Sequence, residues 1–336
     1  MLGKQKYGLL LAGLLVLALA LVACQPQTVE TVKEVVVTRV VTETVVEEGE
    51  TVEVTRVVTE EVEVPVETVV EVTAAPEEMM AATFSAADPT TLLEMTFADV
   101  DTLDPALAYD TASSGVLRQT MDALITYNGS DSTTYVPNLA LEVPSLENGL
   151  ISEDGLTYTF NIREGVTFHE GGELTPSDVA YTFQRGLLQS DPNGPQWLWL
   201  EPIMGYASGD VTEGIADGAY AGDRDALIAN ASPEELAAVC ETVQERIVAD
   251  DASGTVTFNL AQPWGPLLAT FPDFGYILDK EWVIEQGGWD GDCATWQNWY
   301  APGSENSELS PIVNGTGPYK LDHWTPTEEW VVVATD

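Results

Sequence analysis

Few side chains in this sequence have the types and spacing that catalysis requires. The two histidines, His169 and His323, fit neither the His-x-x-x-His pair of zinc sites nor any nucleophile motif. Asp and Glu make up 55 of the 336 residues, so carboxylate pairs arise by chance and do not indicate acid–base catalysis. Cys-x-x-Cys, Gly-x-Ser-x-Gly and P-loop motifs are also missing from the sequence. We therefore predict that the protein is not an enzyme and uses no cofactor.

The charge excludes further classes of protein. Only 12 Lys and Arg oppose the acids, which gives a net charge of −43, so no basic surface exists for nucleic acid or for an anionic membrane. Yet 45% of the residues are hydrophobic, enough for a sizeable core. Acid-rich loops at Asp290–Asp292 and Gly222–Asp225 lack the EF-hand register, so we interpret them as solvated loops and predict no metal site.

The N-terminus has the pattern of a secretory signal. Lys4 and Lys6 precede an apolar run from Gly8 to Val22, which is short for a permanent membrane helix. The ending Leu21-Val-Ala-Cys24 resembles the lipobox of bacterial lipoproteins, in which the cysteine becomes the lipidated first residue. We predict a signal peptide over residues 1–24 and a lipid anchor on Cys24, against the alternative of a plain anchor helix.

Residues 25–89 form a Val/Thr/Glu-rich stalk and linker. Within them, the heptapeptide Val37–Glu43 recurs at Val54–Glu60. Since β-branched residues favour extended backbone and frequent charges keep valines from collapsing, we predict an extended stalk. A coiled coil or a β-ribbon used for assembly is the alternative.

After residue 90 the pattern becomes that of a mixed α/β body. Alternating apolar residues predict strands at 93–97, 156–163 and 256–260. Hydroxyl residues before apolar periodic stretches predict helix starts at Ser113 or Ser114, at Thr175 and at Ser232.

Four segments of the body resemble family 5 extracellular solute-binding proteins, the peptide- and nickel-binding components of ABC importers. They are Leu103-Asp-Pro105; Asp122–Asn128 with Pro137–Ala140; Ser152–His169 with Leu174–Val179; and Gly315-Thr-Gly-Pro-Tyr319. The resemblance implies a type II periplasmic-binding-protein-like lobe one, over residues 90–127 and 313–336, with an inserted subdomain over 128–312. Family members continue into a second lobe, so we expect a chain truncated after lobe one.

The resemblance also indicates where a ligand binds. The predicted contacts are Tyr109, Asp110, Thr111, Ala112 and Ser113, with Trp197 and Trp199 facing the cleft. The loop 109–113 leads into a helix N-terminus, whose free N–H groups could hold peptide carbonyls. An ordinary connecting loop is the alternative.

Two cysteines remain after the signal, Cys240 and Cys293. In an oxidising compartment they are predicted to form a disulfide, against the alternative of two buried thiols.

These observations predict a lipid-anchored receptor on the extracytoplasmic face of a bacterial membrane. It would capture a peptide or related small solute and deliver it to an ABC permease. The alternative is a structural or interaction lipoprotein whose stalk mediates assembly.

Overall fold

The computed structural model describes residues 33–47, 50–64, 90–96, 98–216 and 218–335. The chain divides into two compact units that meet in sequence at Leu93 and Glu94, and each is described by itself. The predicted signal peptide and Cys24 lie outside the described residues, as does segment 65–89. No helix in the described ranges combines the length and the apolar composition needed to cross a bilayer.

The described part of the first unit is a two-stranded antiparallel ribbon. Strand β1 covers Lys33–Glu47 and strand β2 covers Glu50–Val64. Their register places one copy of the heptapeptide opposite the other, from Val37 against Glu60 to Glu43 against Val54. The repeat therefore forms the β-ribbon that the sequence left open as an alternative, not one continuous extended chain.

The described residues between 94 and 335 form a mixed α/β body, which confirms the predicted fold class. The helices are α1 Thr111–Thr120, α2 Pro176–Gln189, α3 Trp197–Met204, α4 Glu213–Ala216, α5 Arg224–Asn230, α6 Pro233–Arg246, α7 Leu267–Phe274 and α8 Lys280–Glu285, with 3-10 turns at Trp296–Trp299 and Ser304–Asn306. The strands are β3 Ile125–Asn128, β4 Asp131–Pro137, β5 Thr157–Asn161, β6 Ile247–Asp250, β7 Thr255–Asn259, β8 Tyr319–Thr325 and β9 Glu329–Ala334.

Local sequence determines where α2 and α6 begin. The Thr175 hydroxyl accepts the Asp178 N–H, and the Asp178 carboxylate accepts the Thr175 N–H in return. Ser232 and Glu235 make the same reciprocal pair at α6. Each box satisfies N–H groups that the first helical turn leaves unpaired, so both predicted helix starts are confirmed.

The central sheet holds an aromatic core. Strand β7 lies between β5 and β6, and both pairs are antiparallel. Phe183 of α2 packs on this sheet, and its ring centroid lies 5.0–5.4 Å from the following rings: Phe258, Trp199 and Phe271. Mostly edge-on rings at these distances add specific attraction to the area that they bury.

The predicted strand at 93–97 is wrong. The described residues there have no strand, and Leu93 and Met95 are 83% and 90% exposed. Alternating apolar residues form a strand only where one face of the strand packs against a core. None of the described strands pairs with this segment.

A buried ion pair joins the segment before α1 to α2. Both Arg185 Nη atoms donate to the Asp104 carboxylate, at 2.9 and 2.7 Å, and both side chains are fully buried. Ser307 and the Ala106 N–H also donate to this carboxylate. Although burial would raise the pKa of Asp104, the adjacent Arg185 and these donors hold it below its usual value. The Leu-Asp-Pro segment therefore has a structural role here.

The Gly315–Tyr319 segment packs against the end of α1. A Cβ on Gly315 or Gly317 would overlap the backbone at Thr120 and Met121, so only glycine permits this approach. Thr316 donates to Asp122 at 2.9 Å, while the His169 ring lies 2.8 Å from the Gly317 carbonyl. The His169 ring therefore joins the Gly315–Tyr319 segment to the turn that follows Phe168.

Strands β8 and β9 pair as a hairpin after this segment. The His323 Nδ1 lies 2.8 Å from Asp322, and that hydrogen bond raises the pKa of His323 above its ordinary value. Because the folded-state pKa is raised, the stabilisation by protonated His323 persists to higher pH than an unperturbed histidine would allow. That stabilisation is lost as the pH rises through the folded-state pKa.

A disulfide joins Cys240 of α6 to Cys293, which lies between α8 and the first 3-10 turn, with Cα atoms 5.3 Å apart. Cys240 is fully buried, and Cys293 packs against the core. The same loop is held by the buried Trp296, whose indole N–H donates to the Leu236 carbonyl at 2.8 Å. The bond thus links two elements that also pack together.

Candidate functional site

The loop before α1 is shaped by the side chain of Asp110. Its Oδ1 accepts the N–H groups of Ala112 and Ser113, at 2.9 and 2.8 Å. Asp110 is therefore the helix cap, and the prediction that Ser113 or Ser114 caps the helix is wrong. Two N–H donors that the sequence assigned to a ligand are occupied by this internal cap.

Ser113 lies inside the protein. It is fully buried, and its hydroxyl oxygen accepts the N–H groups of Asp101 and Thr102, at 3.1 and 3.3 Å. The side chain fastens the preceding segment to α1, so the predicted ligand contact through Ser113 does not fit its position. Thr111 is exposed and Ala112 half-buried at the helix start.

Two predicted aromatic residues come together at the surface. Tyr109 and Trp197 are 47% and 49% exposed, and their ring centroids lie 6.5 Å apart. Phe274, at the end of α7, lies 5.5 Å from Tyr109. We call these three residues the aromatic shelf. Sequence reasoning missed Phe274, because only the fold brings the end of α7 beside the loop before α1.

Trp199 does not belong to this surface. It is fully buried, with its ring 5.3 Å from Phe183 and 6.4 Å from Phe271. The two tryptophans lie on helix α3, where residues two apart point about 200° from each other. Trp197 therefore faces solvent while Trp199 fills the core, and the predicted ligand contact through Trp199 is corrected.

A groove of about 460 Å³ opens beside the end of α7. Arg118 donates to Asp273 at 2.7 Å, and the Tyr127 hydroxyl donates to the same carboxylate at 3.2 Å. Although burial would lower it, the pKa of Arg118 is raised by Asp273. Burial raises the pKa of Tyr276 to about 12, so its hydroxyl is neutral. The groove offers polar contacts beside apolar walls.

One group of three carboxylates comes together within the described ranges: Asp178, Asp279 and Glu281, with ligand atoms within 4.8 Å of one another. Capping explains the first two. Asp178 accepts the Thr175 and Lys280 N–H groups, and Asp279 accepts the Trp282 N–H. Burial raises the pKa of both Asp178 and Asp279. Their oxygens are used as helix caps, so the group needs no cation to explain it.

Comparison with known proteins identifies relatives of this body. Residues 134–336 match the model of the middle region of bacterial extracellular solute-binding proteins, family 5. The dipeptide-binding protein of Escherichia coli is 28% identical over 200 residues, 57% of this chain and 28% of that protein. The oligopeptide-binding protein OppA of Bacillus subtilis is 36% identical over 117 residues, 34% of this chain and 19% of that protein. The chain thus spans less than a third of the length of either relative.

Solved structures of similar proteins include the substrate-binding domain of an oligopeptide ABC transporter from Bacillus anthracis. It is 20% identical, with a TM-score of 0.47, covering 72% of this chain and 37% of that one. Listeria monocytogenes OppA bound to peptide has a TM-score of 0.45 at 22% identity, covering 70% and 37%. Because the family model matches more than half of its length, the chain belongs to the bacterial extracellular solute-binding proteins of family 5, which are binding proteins and not enzymes.

Proposed function

We propose that the protein is an extracytoplasmic receptor that captures a peptide or related small solute and delivers it to an ABC permease. The observation that carries the proposal is the aromatic shelf, where Tyr109 and Trp197 are each about half exposed. Large aromatic side chains at the surface leave apolar area in contact with water. A ligand that covers these side chains removes that area from water, which favours binding.

The shelf provides one wall of a binding site. The side chains beneath it are fixed, since Asp110 caps α1 and Ser113 is tied to the preceding segment. Flat peptide groups or side chains of the ligand would stack on its rings. The opposite wall would come from a second lobe that closes by a hinge movement, as the family resemblance implies. Binding and closure, without bond making, would then be the whole mechanism.

Calorimetry of the full chain with the tripeptides Ala-Phe-Ala and Ala-Ala-Ala tests this proposal. We expect both to bind, and Trp197→Ala to weaken the affinity for Ala-Phe-Ala about five- to tenfold, because one ring contact is lost. Tyr319→Ala is the matched control, since Tyr319 is an exposed aromatic residue of β8. Absence of binding to both peptides, or equal losses in the two variants, would contradict the proposal.

We further propose that lipid on Cys24 holds the protein at the outer face of the cytoplasmic membrane. The support is the sequence Leu21-Val-Ala-Cys24 behind a short basic and apolar segment. We expect Cys24→Ser to move the protein from the sedimenting membrane fraction to the soluble fraction, because an acyl chain supplies the membrane affinity. Retention of the variant in the membrane fraction would show that another segment anchors it.

A further inference from the structure

Each ring of the aromatic shelf has a carboxylate beside it on the same segment. Asp110 follows Tyr109, and Asp273 precedes Phe274. Glu201 lies one helical turn beyond Trp197 on α3, a spacing that places both side chains on the same side of the helix. Each shelf ring thus has an acidic residue close to it in sequence, and Glu201 shares a side of its helix with Trp197.

Two of these carboxylates keep an oxygen available. Asp110 uses Oδ1 for its cap, and Glu201 accepts from Gln262 through Oε1 at 3.4 Å. Within the described part of the chain, no hydrogen bond is recorded to Asp110 Oδ2 or Glu201 Oε2. The third carboxylate, Asp273, is already neutralised by Arg118 at 2.7 Å. Glu201 therefore carries a negative charge one helical turn from Trp197, while the charge of Asp110 is partly met by the two N–H groups that it caps.

The Tyr109 ring makes edge-to-face contacts within the shelf. Tyr109 meets Trp197 at an interplanar angle of 78° and Phe274 at 60°, so Tyr109 stacks face to face with neither ring. A cation within about 6 Å of a ring centroid is attracted by the negative face of the ring. Tyr109 and Trp197 are each about half exposed, so a cation can reach part of each ring from solvent.

The surroundings disfavour an anionic ligand. The groove beside the shelf is lined by two carboxylates, Asp122 and Asp273, and by one basic residue, Arg118, which is paired with Asp273. The protein as a whole carries a net charge of −43. A ligand carboxylate placed here would meet repulsion, with no free basic group among the residues that line the groove.

We propose that the aromatic shelf selects solutes that carry an organic cation, with the ammonium or guanidinium group seated against Trp197 and Tyr109 and facing Asp110 and Glu201. This inference rests on the proposed function, because it names the class of solute that the same surface takes. A neutral aromatic or sugar ring is the competing occupant.

Matched ligands test the charge. Calorimetry of the full chain would compare N-acetylated Ala-Arg-Ala with N-acetylated Ala-citrulline-Ala, which has nearly the same shape without the side-chain cation, and with N-acetylated Ala-Glu-Ala. Acetylation removes the terminal ammonium, which would otherwise be a second cation in every peptide. We expect Ala-Arg-Ala to bind about tenfold more tightly than the citrulline peptide, and Ala-Glu-Ala to bind most weakly. Equal affinity for the arginine and citrulline peptides, or a preference for citrulline, overturns the inference while leaving the receptor proposal intact.

Variants show whether a preference for arginine comes from the aromatic shelf or from the general attraction of cations to an acidic protein. Trp197→Leu leaves the net charge unchanged, so the preference for arginine is expected to disappear only if the ring contributes to it. Glu201→Gln and Glu164→Gln remove the same charge, and Glu164 lies elsewhere, in the exposed turn after β5. We expect only Glu201→Gln to reduce the preference. Persistence of the preference in Trp197→Leu, or equal effects of the two glutamine variants, overturns the inference.

Agmatine is a guanidinium compound without peptide groups. It distinguishes failure of the cation site from failure of the peptide-receptor proposal. If no tripeptide binds but agmatine binds in a manner that depends on Trp197, the cation site stands and the peptide-receptor proposal falls. If neither binds, both fall. Asp110→Asn serves as a further variant that keeps the helix cap while removing the charge, so a lost preference in that protein is not the result of unfolding.

Discussion

Replacement of Asp104 by alanine is expected to lower the free energy of unfolding by about 3–5 kcal/mol, because it leaves the Arg185 guanidinium buried without a counter-charge. Both side chains are fully buried, and two parallel hydrogen bonds of 2.9 and 2.7 Å join them. The substitution also removes the acceptor for Ser307 and for the Ala106 N–H. Urea unfolding at neutral pH measures the loss.

The double variant Asp104→Asn with Arg185→Leu is the control for this result. Since it removes both charges, we expect it to recover at least half of the stability that the single variant loses. In the wild type, the pKa of Asp104 is held below 3.8. The stability due to the charge is therefore present above pH 3.8 and is lost as the pH falls through the lower folded-state value, whereas the double variant lacks this loss. A single variant that loses less than about 1 kcal/mol would contradict the assignment.

The elements that the sequence predicted correctly are those that neighbouring residues determine. Thr175 with Asp178 and Ser232 with Glu235 satisfy the first turn of their own helices, so each start can be identified from four residues. The strand at 156–163 also formed, at Thr157–Asn161, because the buried Tyr158 and Phe160 alternate with partly exposed residues. In these places local preference and tertiary packing favour the same structure.

The sequence predictions are wrong where contacts between residues distant in sequence determine the local structure. The strand expected at 93–97 has no partner among the described strands. The free N–H groups expected before α1 are occupied by Asp110, because the helix begins at Thr111 and the Ser113 hydroxyl is instead bonded to the preceding segment. Trp197 and Trp199 were assigned together to the cleft, yet helix geometry separates them. The sequence therefore predicted Tyr109 and Trp197 of the shelf, but not Phe274, and it added Trp199 wrongly.

The family segments illustrate a related difference between recognising a residue and assigning its role. Asp104 and the glycines at 315 and 317 belong to segments on which the resemblance was based. In the structure they hold the interior together, through a buried ion pair and a close approach to α1. The exposed shelf lies outside those segments. The resemblance therefore identified the fold better than the proposed ligand contacts.

Reduction of the Cys240–Cys293 disulfide is expected to lower the free energy of unfolding by about 4 kcal/mol, the loop-entropy value for cysteines 53 residues apart. The effect should act on the unfolded state, because buried Trp289 and Trp296 anchor the Cys293 loop independently of the bond. We therefore expect the reduced protein to keep its near-ultraviolet circular dichroism while unfolding at lower urea concentration.

The double variant Cys240→Ala with Cys293→Ala checks that expectation without a reducing agent. It should lose slightly more stability than the reduced protein, since it also removes the buried Cys240 sulfur from the core. If the native spectrum itself collapsed on reduction, the tryptophans would not be sufficient anchors, and the disulfide would be stabilising the folded loop. If neither treatment changed the unfolding midpoint, the unfolded chain would already be restrained over this loop. The loop-entropy explanation would then be wrong, because it requires that the disulfide itself restrict the unfolded chain.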